Sequence, residues 1–343
     1  MAKKLISVWL SLTILVFSSI SVFADTAVEG EFFLKDIVIN GETIFNYQLD
    51  NPVVFYQNLV YIPIDEDMGQ ILGYTATTDW ESRTLKITEG KHMLVNVSER
   101  WSKNNLNDLV MTAYTGMKVT VTDSTSGQTE TLDLKGYPLL GANNTLYVPL
   151  SSIVTSEALG IKSFYDFYSG IYMTTIGTDP KTTVNSDVSA FNRGATAYIM
   201  SQNSSYGISG TLDLVLYFKQ YGKIYGVDPT LLMGIARTES TFTTSAVNSQ
   251  NCCGLMQITA STGQGYGFSK AQLLTAKGNI QMGAIYVSNQ LNNFGGSVSK
   301  ALSAYNMGAA RVLSGSIATS YVNKVTSHQR TLDGYLTLYG YNG

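Results

Sequence analysis

The second half of this chain holds few groups suited to acid chemistry, and one of them is unusually placed. From Arg193 to the end there are four acids, Asp213, Asp228, Glu239 and Asp333. Asp228-Pro229 is a helix start, with the acid as N-cap and proline at the first helical position. In the helix that follows, Leu232, Ile235, Ala236 and Glu239 fall at i, i+3, i+4 and i+7. The carboxyl therefore sits on the apolar stripe, near the C-terminal end. Desolvation and the negative end of the helix dipole both disfavour its ionised form. A glutamic acid kept protonated near neutral pH is what protonation of a glycosidic oxygen requires. The competing reading is a helix-end side chain that reaches into water. Ordinary glycosidases use two carboxyl groups in one cleft. Asp213 reads as a first-turn residue, Asp228 as a cap, and Asp333 lies near the chain end. A single-acid mechanism would have to draw its nucleophile from the substrate.

Other reactive groups are sparse. His92 and His328 fall in different halves, and no histidine pair has metal-ligand spacing, which argues against a zinc amidase or peptidase. No cofactor is expected. Cys252 and Cys253 are adjacent, their Cα atoms roughly 3.8 Å apart across a trans peptide, closer than the usual disulfide span of roughly 4.4–6.8 Å. A cysteine peptidase pairing either thiol with His328 has an acceptable chain order but lacks an obvious third partner.

The elements that must position these groups change character along the chain. Residues 1–24 carry Lys3 and Lys4, an apolar run from Leu5 to Phe23, and the small pair Val22 and Ala24. This reads as a secretory signal peptide with the mature chain starting at Asp25; a retained membrane anchor is the alternative. Residues 25–177 alternate apolar and polar positions, as strands do. Leu59-Val60-Tyr61-Ile62-Pro63-Ile64 is echoed by Thr145-Leu146-Tyr147-Val148-Pro149-Leu150. Each copy leads to a short helix-like stretch ending Leu72-Gly73 or Leu159-Gly160, then to an aromatic hairpin near Trp80 or Phe167. Further strands are expected between Trp101 and Leu140. Residues 178–192, polar and aperiodic with Pro180, read as a linker. Residues 193–343 are helical in pattern, with starts expected at Thr211, Pro229 and Ser297, a helix over Asn279–Phe294, and a loop from Gly254 to Gly267.

The predicted fold class is α+β multidomain: a pseudo-repeated α+β unit followed by a mostly α-helical domain. The overall charge of −3 divides unevenly. Residues 25–190 carry ten Lys/Arg and 21 acids, a net −11, whereas the chain from Arg193 carries ten and four, a net +6. A cationic half outside the cell suits an anionic polymer such as a bacterial wall. No nucleic-acid partner is expected, and no membrane contact after signal cleavage.

Two resemblances add to this reading. The tyrosine-(Ile/Val)-proline and Leu-Gly signatures of 33–177 resemble the copper amine oxidase N-terminal-like domain. One histidine and no cysteine there leave no copper site, so the unit is expected to bind wall or another protein without chemistry. In the helical half, five motifs occur in order: Glu239-Ser240; Gly254-Leu255-Met256-Gln257-Ile258; Asn279-Ile280 with Gly283 and Tyr286; Ala304-Tyr305-Asn306-Met307-Gly308; and Tyr321-Val322 with Val325. Over roughly 210–330 this resembles the soluble lytic transglycosylase (SLT) family, related to goose-type lysozyme.

That resemblance implies a lysozyme-like fold with a groove for peptidoglycan glycan strands, in a secreted, wall-associated enzyme. It makes Glu239 the catalytic acid and assigns substrate contacts to Ser240, Asn248, Met256, Gln257, Tyr305 and Asn306. Asn248 stands where a serine is usual, and Asn251-Cys252-Cys253-Gly254 replaces a Gly-Ala-x-Gly turn. The implied reaction cleaves the β-1,4 bond from N-acetylmuramic acid to N-acetylglucosamine and closes a 1,6-anhydro ring. Tyr305 is expected to hydrogen-bond the acid, with Gln257 and Asn306 orienting N-acetyl groups. The alternatives are a goose-type muramidase that hydrolyses the same bond, and a wall-binding protein without catalysis.

Overall fold

The computed structural model describes residues 25–91 and 107–343. The signal-peptide expectation for 1–24, His92 and the start of the Trp101 segment lie outside those residues. Strands fill the first part. The first repeat comprises β1 (Thr26–Phe32), β2 (Asp36–Ile39), β3 (Glu42–Ile44), β4 (Val54–Tyr56), β5 (Leu59–Ile64), helix α1 (Glu66–Leu72), β6 (Tyr74–Asp79) and β7 (Thr84–Glu89). The second comprises β8 (Leu109–Tyr114), β9 (Lys118–Thr122), β10 (Thr129–Thr131), β11 (Leu139–Ala142), β12 (Thr145–Pro149), α2 (Leu150–Ile153), β13 (Lys162–Asp166) and β14 (Gly170–Thr174).

The internal repeat is reproduced strand for strand. Six strands close a barrel in the order β1-β4-β5-β12-β11-β8. The two echoed segments pair with each other, antiparallel, with Val148 opposite Ile62 and Tyr147 opposite Pro63. Both repeat tyrosines, Tyr61 and Tyr147, are fully buried in the same apolar cluster. Two four-stranded sheets flank the barrel, β10-β9-β7-β6 and β13-β14-β2-β3. Each joins the last hairpin of one repeat to the second and third strands of the other, through the parallel pairs β7·β9 and β14·β2.

Helices follow: α3 (Ser186–Gln202), α4 (Gly207–Tyr225), α5 (Pro229–Ser240), α6 (Ala260–Gly265), α7 (Lys270–Leu273), α8 (Ala276–Asn293), α9 (Val298–Met307), α10 (Ala309–Leu313) and α11 (Thr319–Leu338). A two-stranded ribbon, β15 (Cys252–Cys253) with β16 (Ile258–Thr259), lies between α5 and α6. Leu232, Ile235, Ala236, Ile280, Leu302, Val325 and Leu332 meet in one buried core.

Several expectations change. The linker over 178–192 is structured: Pro180–Thr183 forms a 3-10 turn, and Asn185 caps α3 by accepting from the N–H groups of Asp187 and Val188. Ala190, Phe191 and Asn192 are buried, so a polar sequence hides a helix whose packing, not its periodicity, holds it. Thr211 is internal to α4, which starts earlier because Asn203 makes the preceding turn by accepting from Ser205 N–H at 3.1 Å. The stretch from Gly254 to Gly267 is not a plain loop, since it contains β16 and α6. Asp228 caps α5 and Ser297 caps α9, as read from the sequence.

The two parts share an interior. Phe32 and Tyr47 of the strand unit belong to the same buried cluster as the helical core. Gln220 donates to Leu34 O at 2.9 Å, Asn192 to Tyr168 O at 2.7 Å, and Lys277 pairs with Asp108 at 3.1 Å.

Candidate active site

Glu239 occupies the last turn of α5. The helix begins at Asp228, whose Oδ1 accepts from Thr230 N–H at 2.8 Å, and ends on Thr241 at φ 53°. Phe242 follows at φ 59°, so two consecutive non-glycine residues adopt left-handed backbone directly after the acid. Such conformations cost energy, above all for β-branched threonine, and need support. Arg237 gives it by donating to Thr241 Oγ1 at 2.9 Å, and the Phe242 ring packs edge-on against Tyr198 and Phe218. The chain turns sharply here, and the Glu239 carboxyl stays at the surface of the core.

The carboxyl is half-buried, and desolvation raises its pKa from the usual 4.5. Two influences act the other way. Tyr321, in the first turn of α11, donates its hydroxyl to Glu239 Oε1 at 2.5 Å, and Lys324 lies one turn further along the same helix. Burial dominates. Among the described residues no carboxylate acts on this group; Lys324 is the one charge that does.

Beside Glu239 stands a wall made by the ribbon turn between β15 and β16, tied from three helices. Ser240 Oγ donates to Leu255 O at 2.7 Å, from α5. Tyr305 donates to Met256 O at 2.6 Å, from α9. Asn279, fully buried on α8, accepts from Met256 N–H at 2.7 Å and donates to Cys253 O and Leu273 O. Gly254 makes the turn at φ 75°, and a Cβ there would lie 2.3 Å from Asn279 Nδ2. Gly283 lies under the Met256 side chain, which would have to shift for a Cβ that would meet its Sδ at 2.1 Å.

These contacts revise the roles expected of individual residues. Tyr305 does not hydrogen-bond the acid; its hydroxyl is spent on the Met256 carbonyl, and Tyr321 takes the place next to Glu239. Met256 is fully buried over Gly283 and lines no open groove. Ser240 is committed to the wall through Leu255, and also accepts from Thr243 N–H. Asn248 is exposed and accepts from Gln250 and Cys252 N–H groups, an Asx turn that shapes the strand entry. Gln257 donates to Ala246 O and Gly254 O, leaving its carbonyl oxygen for a ligand. Asn306 is exposed, next in chain to Tyr305. A ladder of tyrosines leads away from the wall: Tyr305 meets Tyr286 edge-on at 5.4 Å, and Tyr286 meets Tyr266 at 6.4 Å.

Both cysteines are free thiols. Cys253 donates to Asn251 O, and among the described residues no hydrogen bond joins either thiol to His328, whose Nε2 is buried without a partner. The cysteine-peptidase arrangement is therefore not assembled.

Two residues that build the site had no assigned role in the sequence. Asn279 was visible only as part of the Asn279-Ile280 motif, one of several amides on its helix. Tyr321 stands four residues before buried Val325, on the same face, which left its hydroxyl's partner unspecified.

Known proteins share this unit. Residues 216–326 match the family described as Transglycosylase SLT domain, so the helical part carries that domain. The membrane-bound lytic murein transglycosylase C of Mannheimia succiniciproducens is 32% identical over 111 residues, covering 28% of this chain and 31% of that protein. Its counterpart in Haemophilus influenzae is 36% identical over 105 residues, covering 26% and 29%. The chain thus spans under a third of the length of these relatives. Among solved structures, an inactive mutant of the lytic transglycosylase Slt from Pseudomonas aeruginosa overlaps 45% of this chain and 30% of its own, at 22% identity and TM-score 0.31. The 70 kDa soluble lytic transglycosylase of Escherichia coli overlaps 44% and 29%, at 24% identity and TM-score 0.31. The matched segment 216–326 begins in α4, after the strand unit, and lends nothing to that unit's copper amine oxidase-like resemblance. Although these curated relatives are named as membrane-bound, no helix among the described residues is long and apolar enough to cross a membrane.

Proposed function

We propose that this chain is a peptidoglycan lytic transglycosylase whose catalytic acid is Glu239. One observation carries the reading: a desolvated carboxyl with raised pKa, held by Tyr321, with no second carboxylate among the described residues acting on it. Glu239 protonates the oxygen between N-acetylmuramic acid and N-acetylglucosamine. Its carboxylate then takes the proton of the muramic C6 hydroxyl, which attacks C1 and closes the 1,6-anhydro ring. Atoms balance without water, and the intramolecular nucleophile supplies rate through proximity. The Tyr321 hydroxyl steadies the carboxylate that exists between the two proton transfers. Gln257 Oε1 and Asn306, both open to ligand, offer amide contacts for N-acetyl groups.

The SLT match and the names of the relatives support the wall as substrate, and the cationic helical half agrees with it. Delivery outside the cell follows from the reading of residues 1–24. Mass spectrometry of digested peptidoglycan tests the chemistry. Muropeptides lighter by one water than hydrolysis products, and resistant to borohydride, are expected. Reducible muramic ends would instead make the enzyme a muramidase, and no released muropeptide would leave only a wall-binding role.

A further inference from the structure

The strand unit and helix α4 border a half-open pocket of about 290 Å³ that shares no residue with the cluster around Glu239. Lys219 and Lys223, one turn apart on α4, line it together with Gln220, Asn185, Asp36 and Phe45. Like charges at this spacing repel each other on a helix. Among the described residues neither ammonium makes an ion pair or hydrogen bond; each faces an aromatic ring, Lys219 at 5.7 Å from Phe191 and Lys223 at 3.4 Å from Phe45. Partial desolvation lowers the pKa of both, and the Asp36 carboxylate, which also lines the pocket, opposes the shift. Among the described residues the Asp36 carboxylate has no hydrogen-bond or ion-pair partner, while its N–H donates to Ser169 O at 2.9 Å. The amides are half-used: Gln220 gives its Nε2 to Leu34 O and keeps its carbonyl oxygen, and Asn185 gives its carbonyl oxygen to the α3 cap and keeps its Nδ2.

The free groups thus form two poles, donors on Lys219, Lys223 and Asn185, acceptors on Asp36 and Gln220. Lys219 and Asp36 are partly buried while Lys223 and Asn185 reach solvent, so the groups are open to a ligand, and one with the opposite pattern would engage both poles at once. We propose that this pocket binds a small zwitterion, the free end of an amino acid or short peptide, with its carboxylate on the lysines and its ammonium on Asp36. A bare phosphate fits worse, because it satisfies the lysines and repels Asp36. The volume is at the small end of ligand pockets, in keeping with one or two small residues. This inference goes beyond the glycan reading and does not depend on Glu239 being active.

Isothermal titration of the full chain with D-alanyl-D-alanine tests it. The N-acetyl and the carboxamide forms of the dipeptide, L-alanyl-L-alanine and inorganic phosphate are run beside it. The zwitterion is expected to bind, and the carboxamide about tenfold or more weaker. Lys219→Met and Lys223→Met keep the stems against the rings and should each weaken binding about tenfold, with an unchanged or higher thermal midpoint. Asp36→Asn should remove the preference for the free amine over the N-acetyl form. Preference for the D- or the L-dipeptide separates a wall-derived peptide end from another source. No binding of either dipeptide at millimolar concentration, phosphate binding as tightly, or affinity indifferent to both lysine variants would overturn the proposal. Should a variant fail to fold, titration of the wild-type chain with 13C-methylated lysines decides: the Lys219 and Lys223 signals must move with ligand, and stationary signals reject the site.

Discussion

The hydroxyl of Tyr321 donates to Glu239 Oε1 at 2.5 Å, joining the start of α11 to the end of α5. Because the bond favours the carboxylate, it opposes the rise in pKa that burial imposes. Tyr321→Phe removes this opposition and frees the carboxyl to rotate. The alkaline limb of the pH–rate profile for muropeptide release should move to higher pH, while the maximal rate falls about tenfold or more. A lower rate with an unmoved limb would mean that Tyr321 only packs.

Glu239→Gln should abolish turnover, by about 10²-fold at least, while stabilising the fold at neutral pH. The sign follows from linkage: the folded-state pKa lies above the ordinary 4.5, so the native state holds its proton more tightly than the unfolded chain. The stability this contributes is complete below pH about 4.5 and is lost as pH rises through the folded pKa. Thermal midpoints of the two proteins should therefore converge in acid and separate at pH 7, with the glutamine variant higher. A wild-type midpoint equal or higher at pH 7 would contradict the buried-acid assignment.

Asn279→Ala strips partners from Met256 N–H, Cys253 O and Leu273 O in a fully buried place. A loss of about 3 kcal/mol or more is expected in denaturant unfolding. Asn279→Asp keeps the acceptor for Met256 but sets a carboxylate against two carbonyl oxygens. Its stability should improve on acidification, a trend that the alanine variant lacks.

Phe32→Ala tests the shared interior. Phe32 is 5% exposed and belongs to the helical core although it lies on β1. A destabilisation of about 3 kcal/mol is expected, felt in the helices as well as the barrel. Calorimetry that shows only the barrel's transition moving would mean the two cores are energetically separate.

The sequence made Glu239 legible because helical spacing puts one acid on an apolar stripe, and helix α5 has that spacing. The strand repeat was legible for a similar reason, since Tyr61-Ile62-Pro63 and Tyr147-Val148-Pro149 mark equivalent edges of one barrel. The tyrosine assignment went astray because Tyr305 and Tyr321 are alike in sequence, each on its own helix's inward face. Only the tertiary approach of α11 to α5, and of α9 to the ribbon turn, decides which hydroxyl meets the carboxyl. Residues 178–192 were misread because α3 begins with serine, aspartate and asparagine, and its burial comes from neighbours distant in the chain.

The pairing of the two strand repeats has a consequence for how that unit can exist at all. Each repeat builds only half of the barrel, β1-β4-β5 or β12-β11-β8, whose outer edges are closed by the other copy through β1·β8 and β5·β12, and each flanking sheet borrows a hairpin from the other copy. Neither half is a module that could be transplanted by itself. A fragment ending before β8 would present open strand edges and would be driven to associate with a second fragment, of its own kind or of the other. The unit is in this sense a dimer written on one chain, and the covalent connection supplies local concentration while the interlocked strands supply the shape.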